Sequence, residues 1–243
     1  MLSLSPTLAV AVAADIGLAQ QAPEFPTALE RPVLRFFRSD EDWGALVDPR
    51  LRTEPLDSIK FIPLCDSNPH AYLSIGGEVR VQPESYRPPD LGTTAVRHDA
   101  YWLTRAELHA DAHFSRHART FVELIHGRAL EAEIEPPASQ RNGVDLQQAF
   151  LDVEDGSNAT FRLRAGRMEM GFGSYRLVSP REGTNLRANF DGVRVSLHGD
   201  DASLDAFVTR PVAQQTGAFD DASDKDRLFW GLYGTVPAGP GGE

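Results

Sequence analysis

From Arg105 to His113 every second residue can carry charge or bind a metal: Arg105, Glu107, His109, Asp111 and His113, with Ala106, Leu108, Ala110 and Ala112 between them. Imidazole and carboxylate groups suit zinc or iron, which makes His109, Asp111 and His113 a weak candidate ligand set. Same-face neighbours on a strand lie roughly 6.5–7 Å apart, near the limit for a shared ion unless an adjacent strand helps. Ion pairing with Arg105 or with neighbouring strands is the simpler use of these groups. A period of two sends successive side chains to opposite faces of a strand, so one face here is charged and the other apolar.

The same alternation recurs along the chain. It is present in 72–82, 119–127, 146–154, 160–168, 191–199, 203–210 and 228–236, which with 100–114 makes eight candidate strands. No helical period separates them, which argues against parallel βαβ architectures. The stretches between strands sort by length. Residues 83–99, 128–144, 170–190 and 213–226 are long and rich in Pro, Gly, Asp or Glu, whereas Ser115–Ala118, Asp155–Asn158 and Gly199–Ala202 are tight turns. Long and short alternate strictly, as they do when all long loops of a barrel lie at one membrane face and all turns at the other. The fold class expected is all-β: an antiparallel meander of about eight strands forming part of a transmembrane β-barrel, preceded by an irregular or helical N-terminal segment.

Composition narrows the field. The chain has 243 residues and a net charge of −11, with a pI near 5.1, which speaks against nucleic acid as a partner. Only Lys60 and Lys225 are lysines, and the other 22 of the 24 basic residues are arginine. Arginine forks bind carboxylates bidentately, although a coding bias toward arginine explains the count equally well. Residues 1–22 have the apolar core and small-residue end of a secretory signal, but lack a leading base and are interrupted by Asp15. The organisation expected is an atypical signal at 1–22, a periplasmic segment at 23–71 and a partial barrel at 72–243. After the N-terminus no apolar run reaches the roughly 18 residues of a membrane helix, and barrel strands need only about 9–11 residues each. Cys65 is the only cysteine; it is read as a packing residue.

Alternation alone leaves two models open, since a soluble β domain buries its apolar face and a membrane barrel exposes it to lipid. The loop sorting, the signal-like start and the aromatic residues near strand ends (Tyr101, Trp102, Phe114, Phe229, Trp230) favour the membrane. The charged face then lines a lumen. Most of its charges are expected to pair across strands, but Arg162, Arg164, Arg194 and also Arg167 are read as cations with little acid nearby. Such a wall attracts anions. Arg80, Arg105 and Arg119 add to the positive inventory; Glu78, Glu107, Glu123, Asp152 and Asp205 oppose them.

The stretches "DEDWGALVDPRLRTEPLDSIKFIPL", "YLSIGGEVR", "DLQQAFLDV", "LRAGRMEMGFGSYRLVSPREGTNLRANFDGVRV", "DAFVTRPV" and "GAFDDA", in this order, resemble the alginate export family of bacterial outer-membrane barrels. The likeness runs from about Arg31 to Val236. The resemblance implies a barrel of about eighteen strands, an even number as such barrels require, that releases the polyuronate alginate through an arginine-rich constriction. It further implies that Arg162, Arg164 and Arg167 of "LRAGR", Arg181 of "SPREG" and Arg194 of "FDGVRV" contact uronate carboxylates. Asp152 and Glu169 would hold these arginines or line the pore. The implied partners are an anionic polysaccharide or oligosaccharide, outer-membrane lipid and periplasmic secretion components. Eight strands are about half of such a barrel, and an eight-stranded closure leaves an interior just wide enough for side chains. The chain is therefore expected to be part of a longer product or to close differently.

Other chemistry finds little support. No carboxylate pair is singled out for glycosidic acid–base work, and "GFGSYR" lacks the strand–loop–helix setting and the lysine of a phosphate cradle. No catalysis and no cofactor are expected. The rival class is a soluble periplasmic β domain that binds a metal or a sugar.

Overall fold

The computed structural model describes residues 31–155, 160–199 and 201–236; the signal-like segment and the middle of the Asp155–Asn158 turn lie outside them. Eight long strands form: β2 (Tyr72–Tyr86), β3 (Asp99–His113), β4 (Ala118–Leu130), β5 (Asn142–Glu154), β6 (Phe161–Met168), β7 (Phe190–His198), β8 (Ser203–Ala213) and β10 (Phe229–Thr235). Two two-residue strands join them, β1 (Ile62–Pro63) and β9 (Ala222–Ser223). All pairings are antiparallel, in the order β1-β2-β3-β4-β5-β6-β7-β8-β10, with β9 on the end of β8. The sheet is open: among the described residues β10 has no partner beyond β8. The alternation of long connections and tight turns places every long connection at one end of the sheet.

Burial settles which face is which. Leu108 is 59% exposed while its neighbours Glu107 and His109 are 6% and 4% exposed. The rule holds along the meander: Val79, Val81, Val122, Leu151, Val193, Leu204, Val208 and Leu232 are exposed, and Arg105, Asp111, Arg119, Glu123, Asp152, Arg164 and Asp205 are buried. A water-soluble sheet buries its apolar face and wets the other, and soluble monomers rarely expose contiguous apolar patches beyond a few hundred Å². An inverted sheet is the pattern of a barrel wall in lipid. Leu108 faces Leu124 near the middle of its strand, at the depth where a lipid-facing cation costs about 2–4 kcal/mol. Leu108→Arg is expected to lower unfolding free energy in lipid vesicles by that amount. A change under about 0.5 kcal/mol, the usual result at a water-exposed position, would place this face in water.

The aromatic positions divide. Trp102 and Phe114 are exposed, but Phe229 packs inward on Phe190 and Phe207, 5.7 and 5.0 Å between ring centres, so it is no part of a girdle. Tyr101 sits on the inward parity and stacks on Tyr86. A shift of one residue reverses the face, and proximity to a strand end does not fix parity. Cys65 is exposed, not a packing residue, because it lies in the link between β1 and β2.

Two segments fill the concave, charged side. At the short-turn end, residues 31–64 form three short 3-10 turns and α1 (Asp57–Lys60) around Trp43, Leu46, Phe61 and Tyr72. Arg31 donates to both oxygens of Asp57 at 2.6 and 2.8 Å, and these hydrogen bonds hold the carboxyl down at about 2. The segment docks on the sheet through Arg38 to Glu78, through Tyr72, which donates to Asp42, and through the Ser39 carbonyl, which accepts from Arg119 at 2.6 Å. From the long-loop end the 169–189 connection folds in as a strap. Its Met170, Phe172 and Val178 join Phe121, Phe150, Met168 and Phe207 in the main apolar cluster. Within β6, Gly166, at φ +133°, brings its backbone against Ala149, where a Cβ would lie 2.2 Å from the carbonyl oxygen.

Candidate pore-lining site

The inward charges assemble into two networks. In the first, Asp152 of β5 lies between Arg119 of β4 and Arg164 of β6 in direct register. It accepts from Arg119 at 3.1 and 3.0 Å and from Arg164 at 2.8 and 2.9 Å. Arg119 also reaches Asp111 at 3.0 Å, and Asp111 meets His113 at 3.2 Å. Arg164 lies over the Phe150 ring, 3.7 Å from its centre.

The second network ties the strap to the sheet. Glu182 accepts from Arg80 at 3.1 Å, from Arg105 at 2.9 Å and from Arg187. Arg105 also meets Glu78 at 3.1 Å and Glu107 at 3.2 Å. Arg187 faces Glu169 at 3.7 Å and Glu107 at 4.0 Å. Glu169 accepts from Gln147 at 2.7 Å, and Gln148 donates to Glu123 at 3.0 Å. Both glutamines point inward because β4 and β5 shift register at Glu123/Leu124, an irregularity that re-aims side chains next to functional positions. Burial works against the Glu182 charge, yet hydrogen bonds from Arg187 and Arg105 hold its carboxyl below the usual range. Arg187 is pushed up despite its own burial by the Glu169 and Glu107 carboxylates.

The expected acid-poor arginine wall is not what the strands build. Arg162 donates to Glu154 at 2.6 Å, Arg164 to Asp152, and Arg194 to Asp205 at 2.8 Å. Each acid comes from the adjacent strand, so it does not show in the arginine's own strand. Arg167 has the opposite parity to Arg162 and Arg164; it forks onto Asp191 at 2.8 and 3.0 Å at the long-loop end. Arg181 is exposed in the strap. Among the paired arginines, exposure separates two groups: Arg162 at 20%, Arg194 at 22% and Arg80 at 19% keep an accessible edge, whereas Arg105 at 1% and Arg164 at 5% are covered. His109, Asp111 and His113 do not converge on a metal: His109 stacks on Phe121 and faces Glu123 at 3.8 Å, away from the Asp111–His113 pair.

Arg187 and Glu182 are central to the second network and were not singled out from sequence. They sit in a loop without periodicity, and only the quoted "SPREGTNLRANF" stretch contained them.

An antiparallel meander with lipid-type side chains outside, ion-paired arginines and carboxylates inside and a loop folded into the concave face defines a segment of an outer-membrane β-barrel. The chain belongs to the alginate export family, whose profile matches residues 71–241. That is an outer-membrane export family and not a family of enzymes. No curated protein and no solved structure matches the chain.

Proposed function

We propose that the protein forms part of an outer-membrane passage for an anionic saccharide, alginate or a related polyuronate, which moves by passive diffusion past Arg162, Arg194, Arg80 and Arg181. The observation that carries this reading is the inverted burial of the sheet joined to the partial exposure of these arginines. A guanidinium already bonded to one carboxylate keeps donors for a second, so a passing uronate finds charge-assisted hydrogen bonds. The resident Glu154 and Asp205 compete for those donors and keep each contact weak enough for release. Residues 31–64, docked at the short-turn end, are the natural meeting point for periplasmic secretion components. Both sheet edges need strand partners in the hydrocarbon region, where unpaired backbone groups cost several kcal/mol each.

The test is single-channel recording of the protein in planar bilayers. The expected result is a conductance selective for anions and blocked by millimolar oligouronate. A monodisperse monomer stable without detergent, or a conductance indifferent to oligouronate, would reject the proposal.

A further inference from the structure

Strands β4 and β5 separate at the long-loop end. Their last pair is Gly127 with Asn142, and Arg128, Ala129 and Leu130 run on beside β3 alone. Just before that point Gly143 and Val144 of β5 stand opposite the single residue His126, a bulge that bends the strand and re-aims side chains. The connection after β8 comes up beside it, where Gly143 donates its N–H to the Gly217 carbonyl at 2.8 Å. Between His126, Arg128 and Leu130 on one side and Arg141, Asn142 and Thr216 on the other lies a cavity of about 380 Å³, within the roughly 300–1,000 Å³ usual for small ligands.

The cations at this cavity stand on the face turned to lipid. His126 and Arg128 pair with Ala106 and Thr104 of β3 and share the parity of Val122 and Leu124. Arg141, next to the buried Asn142, takes the same outward parity. Leu130 and its β3 partner Trp102, both exposed, follow at the next step toward the loops, the level of an interfacial aromatic girdle. Three arginines of the described strands have outward parity, Arg128, Arg167 and Arg210, and all lie at the long-loop end. Arg167 is forked onto Asp191, and Arg210 donates to the carbonyls of Asp224 and Lys225. Arg128 is exposed, and among the described residues no acid, carbonyl or ring meets its guanidinium.

The rest of the cavity wall is also short of acceptors. His126 Nδ1 and Arg141 Nε are buried with no hydrogen-bond partner, an uncommon state for polar atoms in a folded protein. Of the acids in the connection between β4 and β5, Glu131, Glu133 and Glu135, only Glu135 bonds to a lining arginine, Arg141, and it is itself 78% exposed. A guanidinium turned toward the bilayer is tolerated best at the headgroup level, where anions are at hand. A phosphate carries enough oxygens to accept from two guanidiniums and an imidazole together.

We propose that this cavity holds the phosphate of an outer-leaflet glycolipid, with Arg128 and Arg141 as its guanidinium partners. The proposal rests on the outer-membrane reading above, in which the long loops lie outside the cell and this end of the sheet meets the outer leaflet. The lining arginines stand on the face away from Arg162 and Arg194, so a saccharide in the bore does not pass them. Apolar residues continue below the cavity, where Leu124 faces Leu108 and Val79 faces Ala106, and they give acyl chains a surface to lie on. Basic pockets at the edge of membrane-spanning segments recognise anionic headgroups in this way.

The experiment is native mass spectrometry of the whole protein in non-ionic detergent micelles, titrated with diphosphoryl lipid A and separately with phosphatidylcholine and inorganic phosphate. A saturable lipid A adduct is expected, stronger than that of the zwitterionic phosphatidylcholine and not displaced by inorganic phosphate. Arg128→Gln should weaken it about fivefold, and R128Q with R141Q about twentyfold. Arg128→Lys keeps the charge and should lose less than Arg128→Gln. Arg116→Gln, at the short-turn end, should leave the adduct unchanged. Arg128 has no partner to lose, so its replacement spares the fold, and heat-modifiable gel mobility verifies this for every variant. Absence of a saturable lipid A adduct, or native binding in the folded double variant, overturns the site; displacement by inorganic phosphate overturns the lipid as its ligand. Oligouronate block of the channel should stay native in R128Q, so failure of this site and failure of the transport reading are separate results.

Discussion

Asp152→Ala is expected to cost the folded protein about 3–5 kcal/mol, the range measured when one partner of a buried ion pair is removed. The carboxylate is fully buried and takes two hydrogen bonds from each of Arg119 and Arg164. Without it Arg119 retains Asp111 and the Ser39 carbonyl, but Arg164 keeps only the face of Phe150. The loss therefore falls mainly on Arg164. Arg164→Met in the same background should restore part of the stability, since a thioether chain fits against Phe150 and removes the orphaned charge. Unfolding in urea, in vesicles or micelles, measures both. A cost of Asp152→Ala below about 1 kcal/mol, the typical value of a solvated pair, would mean that water reaches this row and that Arg164 belongs with the accessible arginines.

The two networks mark where reading one sequence stops. Each strand declared its own period of two, so the number of long strands, the sorted connections and the two faces were legible before any coordinates. Lipid outside and charge inside was also legible as one of two models, because a strand's pattern is the same whichever face meets water. The missing acids have a different cause. Asp152 and Arg164 are twelve residues apart and meet only because the β5–β6 register sets them opposite; register depends on turn geometry and bulges that composition does not encode. Arg167 is the reverse case: its odd position already set it apart from Arg162 and Arg164, and similarity of residue type outweighed parity. The strap and the docking of the Asp220 and Asp221 backbone on the Asp145 carboxylate lie further still from view. Aperiodic loops offer no face to count, and Asp220, 75 positions after Asp145, donates its backbone N–H to that carboxylate only because the connection after β8 folds back onto β5.

Reversing Arg162 and Arg194 together, Arg162→Glu with Arg194→Glu, is expected to lower the anion-to-cation permeability ratio by about tenfold, equivalent to 1.4 kcal/mol. In the native wall each arginine stands beside one acid, Glu154 and Asp205. Reversal converts two nearly neutral pairs into four adjacent carboxylates. At effective dielectric constants near 20 a unit charge about 4 Å away is worth about 4 kcal/mol, and at bulk-water values about 1 kcal/mol, so a tenfold change needs only partial desolvation. The effect must shrink with salt, because the screening length falls from about 10 Å at 0.1 M to about 3 Å at 1 M. Two controls isolate the cause. Arg194→Lys keeps the charge and should keep selectivity while weakening oligouronate block, since the bidentate fork is lost. Arg167→Gln removes a cation from the other parity, bound to Asp191, and should leave selectivity unchanged. A folded double reversal with native selectivity at 0.1 M salt, the condition of about 10 Å screening, would remove the arginines from the path and leave the exposed apolar face as the main evidence for a membrane role.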